Sequence, residues 1–337
     1  MKALVTGSSG FIGSQLAAQL RGQGFDVVAT AQINNDIEKT RCQRLEDVGV
    51  DVRLVNLNDR EGLGRSLDAC DVVFHLAAAQ HEANVPDQYF RDVNVEGTRT
   101  LLEASREAGV GRFVHGSTIG VYGAALDGEL SERSATQPDN IYAVTKLEGE
   151  GVVRSFADTM PISIIRISET YGPGDNRLLK LFRAIKKGSF FVIGNGKNVH
   201  QLIYVDDLIR GMLAAATNPN AIGTEFILAG SEELTTTQMC ESIAHAVDTK
   251  PPRLRVPMLP FSIAAVCLET VCRPLGIQPP LHQRRLNFFR KSFHFDTTKA
   301  KQLLDFSPEV SFEQGAALTA AWYTENGELQ AALAARG

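Results

Sequence analysis

The feature that most constrains this chain lies in its first thirteen residues. A short apolar run, Ala3–Thr6, passes into a turn with glycines at Gly7, Gly10 and Gly13, and a helical pattern opens at Phe11. A run of this kind reads as a strand buried on both faces. Each glycine has a physical reading. Gly7 permits the tight turn, Gly10 lets the backbone approach a pyrophosphate, and Gly13 allows the helix to pack closely on the strand. The helix N-terminus would present unpaired N–H groups and its positive dipole end to the phosphates. A plain glycine turn is the blander reading. The strand before and the helix after favour dinucleotide binding.

The alternation continues along the chain. Strands are expected at Asp26–Thr30, Val52–Val55, Val72–Leu76, Phe113–His115 and Ile162–Ile167. Helices are expected at Phe11–Arg21, Glu61–Ala69, Asp87–Ala108 and Asn140–Phe156. This predicts an α/β fold, a Rossmann-type doubly wound parallel sheet. After Arg166 the pattern changes to a turn-rich loop, Tyr171–Asn176, and a helix at Leu178–Lys187. Ile203–Val205 and Phe226–Leu228 are expected to return to the sheet as late strands. Prolines crowd residues 251–280, which predicts a smaller, mostly helical C-terminal substrate lobe. The expected boundaries are 1–168 and 203–232 for the dinucleotide-binding domain, and 169–202 and 233–337 for the substrate-binding lobe. In that lobe Met258, Leu259, Phe261, Ile263, Val266 and Leu268 form an apolar stripe. Core packing is the favoured reading and an apolar substrate pocket the alternative.

Composition removes other classes. Of 337 residues 44% are hydrophobic and 22% charged, an ordinary soluble balance. The net charge of −5 lacks the basic surplus of a nucleic-acid binder, so no nucleic-acid partner is expected. Met258–Leu268 is the longest apolar stretch and is too short to span a bilayer, so no stable membrane insertion is expected. The N-terminus shows no signal-peptide pattern. Five cysteines without a C-x-x-C pair argue against a disulfide framework or a thiolate zinc site. No metal is expected, and a reducing cytoplasm fits.

Tyr142 and Lys146 lie four residues apart on one expected helix and so share a face. A nearby cation favours phenolate over phenol. Such a tyrosine exchanges a proton with a substrate hydroxyl as hydride moves to or from a nicotinamide. A surface i,i+4 pair is the bland alternative. Ser117 and Thr118 shift the balance, because they follow a strand at the end where open α/β sheets bind ligands. The end of the second strand, Ala31-Gln32, carries no acid for a ribose 2′-OH and no arginine for a 2′-phosphate. NAD and NADP therefore both stay open. Lys39, Arg41 and Arg44 read as a solvated helix face that could also reach inward.

These motifs, with Asn56-Leu57-Asn58-Asp59, Phe74–Ala78, Asn94–Thr98, Val121-Tyr122-Gly123, Arg166, Tyr171–Gly174 and Tyr204–Asp207, occur in one order along nearly the whole chain. The chain resembles the extended short-chain dehydrogenase/reductases of the NAD-dependent epimerase/dehydratase group. The resemblance implies Thr118, Tyr142 and Lys146 as the catalytic set. It implies cofactor contacts from Gly7, Ser9, Gly10, Phe11, Ile12 and Gly13, and from Ala31, Gln32, Asn56 and Leu57 towards the adenosine. Leu76, Ala77, Ala78, Asn94, Ser117, Tyr142, Lys146 and Ile167 complete that set. Gln80, Thr118, Glu169, Arg177, His200 and Arg284 are implied at the substrate, a small molecule. A homodimer through the two long helices is also implied.

The substrate end departs from the family pattern. Thr118 is followed by Ile119 and Gly120 rather than the Asp-Glu of 4,6-dehydratases. Glu169 stands where nucleotide-sugar members carry Asn, and His200 where they carry a phosphate-clamping Arg. A carboxylate repels a diphosphate, and a neutral imidazole is a weak clamp. Arg284, Arg285 and Arg290 could supply the missing charge. Tyr171–Asp175 and the Phe293/Phe295/Asp296/Lys299 pattern also look like 3β-hydroxysteroid dehydrogenase relatives. Three readings follow: a nucleotide-sugar 4-epimerase or ketoreductase, a dehydrogenase of apolar alcohols, and a non-catalytic dinucleotide-binding protein. The intact Thr118, Tyr142 and Lys146 speak against the last.

Overall fold

The structure, a computed structural model, describes residues 1–80, 85–123, 128–272 and 283–329, apart from the side chains of 269, 271 and 283–285. Seven strands form one parallel sheet: β1 (Lys2–Thr6), β2 (Asp26–Ala31), β3 (Asp51–Leu54), β4 (Val72–His75), β5 (Arg112–Thr118), β6 (Ile162–Ile167) and β7 (Thr224–Leu228). Their order is β7-β6-β5-β4-β1-β2-β3. From β1 the chain adds β2 and β3 on one side, then β4 onwards on the other. That reversal opens a crevice beyond the C-terminal ends of β1 and β4, where such sheets bind ligands. Val and Ile run through β4 and β6 without alternation because helices cover both faces.

The helices follow from local chemistry. In α2 (Asp36–Asp47) and α3 (Arg60–Ser66), Asn35 and Asp59 cap the first turn. In α6 (Ile141–Arg154), Asn140 accepts from the Ala143 N–H. By contrast α1 (Phe11–Gly22) starts at Gly10, with no side-chain cap.

The expected helix over 87–108 is broken into three. After α4 (Asp87–Arg91) comes a π-helical segment, Asp92–Glu96, and then α5 (Gly97–Glu107). The wide turn carries Asn94 into the interior, where it is 1% exposed. The helix α8 (Val205–Thr217) begins at Val205, and Ile203–Tyr204 lies outside the seven-stranded sheet, against expectation.

Two compact units emerge. The first holds Met1–Thr170, Val205–Ala229 and Asp296–Ser307. Residues 296–307 were expected in the second lobe. They join the first because the side chain of Asn218 donates to the Leu303 carbonyl, Arg210 to that of Ser307, and Lys299 lies over the Phe226 ring. Its core includes Leu4, Leu63, Leu101, Phe113, Val153 and Ile164.

The second unit holds Tyr171–Tyr204, Gly230–Phe295 and Pro308–Gly337. Here α7 (Leu179–Lys186), α9 (Thr236–Ala246) and a long C-terminal helix (Phe312–Glu325) supply a core that includes Phe182, Met239, Ile243, Phe312 and Tyr323. A satellite cluster joins α10 (Met258–Cys272) to α11 (Gln283–Arg290) through Ala265, Leu286 and Ile193. The apolar stripe of α10 is only partly core. Ala265 is fully buried, whereas Leu259, Ile263 and Val266 are 69%, 56% and 48% exposed.

Candidate active site

The turn after β1 is shaped by close backbone contacts. Gly7 has φ +71°, and a Cβ there would meet the Ala77 backbone nitrogen at 2.6 Å. A Cβ on Gly13 would lie 2.3 Å from the Gly7 carbonyl oxygen. Gly10 differs: only the Gly7 carbonyl oxygen lies near its Cβ position, at 3.1 Å. Open space thus faces the uncapped start of α1, with its free N–H groups. A cavity of about 360 Å³ adjoins the ends of β2 and β3, lined by Ala31, Gln32, Asn34, Leu54, Val55 and Asn56. These residues fit the adenosine end of a dinucleotide. The guanidinium of Arg41 donates to the Ser9 carbonyl at 3.3 Å, so α2 brings one cation to this loop.

The loop after β4 is held by a relay of hydrogen bonds. The Thr6 hydroxyl oxygen accepts from the Leu76 and Ala77 N–H groups, both at 3.2 Å. Its proton then points to His75 Nδ1, 2.8 Å away. That assignment leaves His75 Nε2 to donate to Thr98 Oγ1 at 2.9 Å, and Thr98 donates to the Asn94 carbonyl at 2.8 Å. The imidazole is neutral: burial, aided by Lys146, pushes its pKa down to about 3. The Asn94 amide accepts from Ala79 N–H at 2.8 Å and donates to the Ala79 carbonyl and to Thr145 Oγ1. Asn94 therefore braces the Ala77–Ala79 segment from behind.

On the other side of the crevice, β5 and α6 meet in matched steps. Two residues of strand rise about 6.6 Å and four of helix about 6 Å. His115 and Ser117 can thus face Lys146 and Glu150 in turn. Lys146 Nζ lies 3.4 Å from His115 Nε2, and Ser117 Oγ donates to Glu150 Oε1 at 2.6 Å. Arg166, from β6, grips Glu150 through Nε at 3.0 Å and Nη2 at 2.9 Å, and its Nη1 donates to the Tyr122 hydroxyl at 2.8 Å. Burial works against the Glu150 charge, but Arg166, Ser117 and Arg154 outweigh it and hold the carboxyl below its usual range. Burial also pushes the Lys146 ammonium down to about 8, with Glu150 opposing. His115 is held well below the usual histidine range by burial and then by Lys146, and its Nδ1 is buried with no partner among the described residues. A neutral His115 accepts from the Lys146 ammonium without adding charge.

Tyr142 sits one turn before Lys146 on α6 and is half-buried. Thr118 ends β5 beside Ile167, its register partner on β6. The Thr118 hydroxyl accepts from the Gly120 N–H at 3.0 Å, which leaves its proton to donate elsewhere. The residues after Thr118 are Ile119, which is buried, and Gly120.

Residues 3–229 match the NAD dependent epimerase/dehydratase family. The chain belongs to that family. It is an extended short-chain dehydrogenase/reductase, an NAD-dependent epimerase or oxidoreductase. It is 28% identical to a UDP-glucose 4-epimerase of Mycolicibacterium smegmatis, over 96% of this chain and 98% of the relative. It is 27% identical to 3beta-hydroxysteroid-dehydrogenase/decarboxylase isoform 1 of Arabidopsis thaliana, over 93% and 77%. Among solved structures, UDP-glucuronic acid 4-epimerase from Bacillus cereus in complex with UDP-glucuronic acid and NAD aligns with a TM-score of 0.78 and 26% identity, over 97% of this chain and all of that one.

The substrate residues expected from the family pattern fall in both units. In the first unit Gln80 is exposed and Glu169 half-buried. In the second Arg177 is exposed, while His200 is 3% exposed and committed internally. Its Nε2 lies 3.0 Å from both Asn198 Nδ2 and Thr236 Oγ1, and its ring packs on Phe288 at 4.7 Å. The sequence reads His200 as a substrate-side residue or an ordinary polar surface group, and its burial differs from the second of these. Arg284 belongs to α11, but its side chain lies outside the described residues. Sequence reasoning missed His75, His115 and Glu150. Spacing held a signal for two of them: His115 shares a strand face with Ser117, and Glu150 shares a helix face with Lys146.

Proposed function

We propose that this enzyme moves hydride at a secondary alcohol or ketone carbon of a nucleotide-activated sugar, as a 4-epimerase or ketoreductase. The observation that carries the reading is the meeting of β5 and α6 at the open end of the sheet. There the buried Lys146, the half-buried Tyr142 and Thr118 lie on β5 and α6, and β5 pairs with β4, whose following loop meets the glycine turn at Ala77. A bound nicotinamide cofactor would supply the hydride chemistry, as an acceptor and then donor in an epimerase and, in its reduced form, as the donor in a ketoreductase. Gly7, Gly10 and Gly13 with the start of α1 would hold its pyrophosphate, and Ala31, Gln32 and Asn56 its adenosine. Tyr142 serves as the acid/base, taking the proton of the reacting hydroxyl and giving it back. The Lys146 cation favours the phenolate and so lowers the cost of that step. The Thr118 hydroxyl orients the same substrate oxygen. Ile119 and Gly120 offer no acid for a 4,6-elimination, which favours epimerase or ketoreductase over dehydratase.

The relatives that act on UDP-sugars support the sugar assignment. A second reading, a dehydrogenase of apolar alcohols, is favoured by the buried His200 and by Glu169 standing where nucleotide-sugar members carry a phosphate-clamping Arg and an Asn, and by the likeness to the Arabidopsis protein. One assay separates them. With NAD and UDP-glucose or UDP-glucuronic acid, an epimerase forms the 4-epimer, seen by chromatography, without net change in nicotinamide absorbance. A sterol alcohol oxidised with a stoichiometric rise in that absorbance, and no turnover of UDP-sugars, would overturn the sugar reading.

A further inference from the structure

Helix α10 is apolar on two sides, and among the described residues only one side is packed. Its inner face packs Ala265, Met258 and Phe261 against Ile193, Val256, Leu286 and Phe289. Its outer face carries Leu259, Ile263 and Val266 at i, i+4 and i+7, one continuous stripe. Leu254, just before the helix, is 62% exposed as well. A single exposed leucine is ordinary, but three large aliphatics along one helix face in water mark a contact surface.

The charge of the segment that carries this stripe is opposite in sign to that of the whole chain. Residues 249–295 hold eight Lys and Arg and one acid, Glu269, in a protein of net charge −5. Lys250, Arg253, Arg255 and Arg290 are exposed. Arg253 and Arg255 flank Leu254 in sequence, and Arg290 donates to Ser262, which lies beside the stripe on the helix surface. The surface is thus an apolar ridge with a basic rim. A second copy of this chain docked about a twofold axis would bring rim against rim, and like charges oppose that. An anionic lipid surface satisfies both features, apolar side chains entering the acyl boundary and cations meeting headgroups. Fifteen residues of helix span only about 22 Å, too short to cross a bilayer and suited to lying along one.

We propose that the outer face of α10 docks this enzyme peripherally on membranes rich in anionic lipid. The proposal stands apart from the chemistry of the first unit and does not need the sugar assignment.

The test is flotation of the full chain with vesicles. Phosphatidylcholine vesicles containing phosphatidylglycerol should carry the protein upward, pure phosphatidylcholine should not, and added salt should release part of the bound protein. Ile263→Asp should lower vesicle affinity roughly tenfold or more, because one apolar anchor is lost and a repelled charge gained. Arg253→Ala with Arg255→Ala should lower it roughly tenfold and weaken the salt dependence. All these positions are exposed, so unfolding midpoints and NAD affinity should match the parent. Absence of flotation with phosphatidylglycerol vesicles would overturn the proposal. So would undiminished flotation of Ile263→Asp, or a dimer in sedimentation that Ile263→Asp dissociates while vesicles bind neither protein.

Discussion

In the first unit the open end of the sheet buries Thr6, His75, Asn94, His115, Lys146, Glu150 and Arg166. In the second, α10 leaves Leu259, Ile263 and Val266 in water. The buried polar groups are tolerated because nearly each meets a partner, and because the imidazoles shed their charge rather than their hydrogen bonds. The exposed aliphatics have no such local compensation. The contrast teaches where each unit draws its function: one from charge held in a dry place, the other from apolar surface held in a wet one.

The largest effect should come from Tyr142→Phe, which removes the proton carrier from the first unit. Turnover should fall about 10²–10⁴-fold while calorimetric NAD binding stays unchanged. Comparable turnover in the variant would end the acid/base assignment. Next comes Arg166→Met, which strands the Glu150 carboxylate in the interior. A destabilisation of about 3–5 kcal/mol in denaturant unfolding is expected, and near-neutral behaviour would show that the pair is dispensable.

Lys146 sharpens the contrast through pH. Its folded pKa of about 8 lies below the unfolded lysine value of 10.5. Between these values the unfolded chain holds the extra proton, so this group's contribution to stability rises with pH. Turnover should nevertheless fall above about pH 8 as the cation is lost. In Lys146→Met turnover should be low at every pH and that alkaline limb should vanish, with an unfolding midpoint no lower than the parent's. A midpoint well below the parent would mark Lys146 as a structural residue.

Gln32→Asp probes the adenosine cavity. An acid there accepts from a ribose 2′-OH and repels a 2′-phosphate, so the NAD to NADP affinity ratio should rise about tenfold or more in fluorescence titration. The smallest effect belongs to the second unit. Ile263→Ser should change folding stability by less than about 0.5 kcal/mol in chemical unfolding, as for an ordinary surface site. A larger loss would mean that the stripe is covered within the folded chain.

The sequence showed the first unit well because its signals are local. The glycine turn, the apolar strands and the Tyr142/Lys146 spacing each lie within a few residues. What it concealed depends on distant partners. His200 reads as a substrate-side or polar surface group from its place in the chain, yet it is buried, bonded to Thr236 and packed on Phe288. The apolar run at 258–268 reads as core, and composition cannot say that only one side of the helix is covered. The break in the helix over 87–108 is set by Ala79 and Thr145, which claim the Asn94 amide from outside it.

That break has a mechanical consequence. A π-helical segment behaves as one residue inserted into an α-helix, and Gly149 of α6 leaves room for the Asn94 carbonyl it pushes outward, since a Cβ there would lie 2.8 Å from that oxygen. Deleting a single residue between 92 and 96 would restore regular winding, keep the flanking turns nearly in phase and remove the wide turn that carries Asn94 inward. The brace behind Ala77–Ala79 would then point elsewhere. The extra residue works as a gauge block, setting how far the Asn94 amide reaches, and without it the Ala79 backbone would lose both of its bonds to that amide.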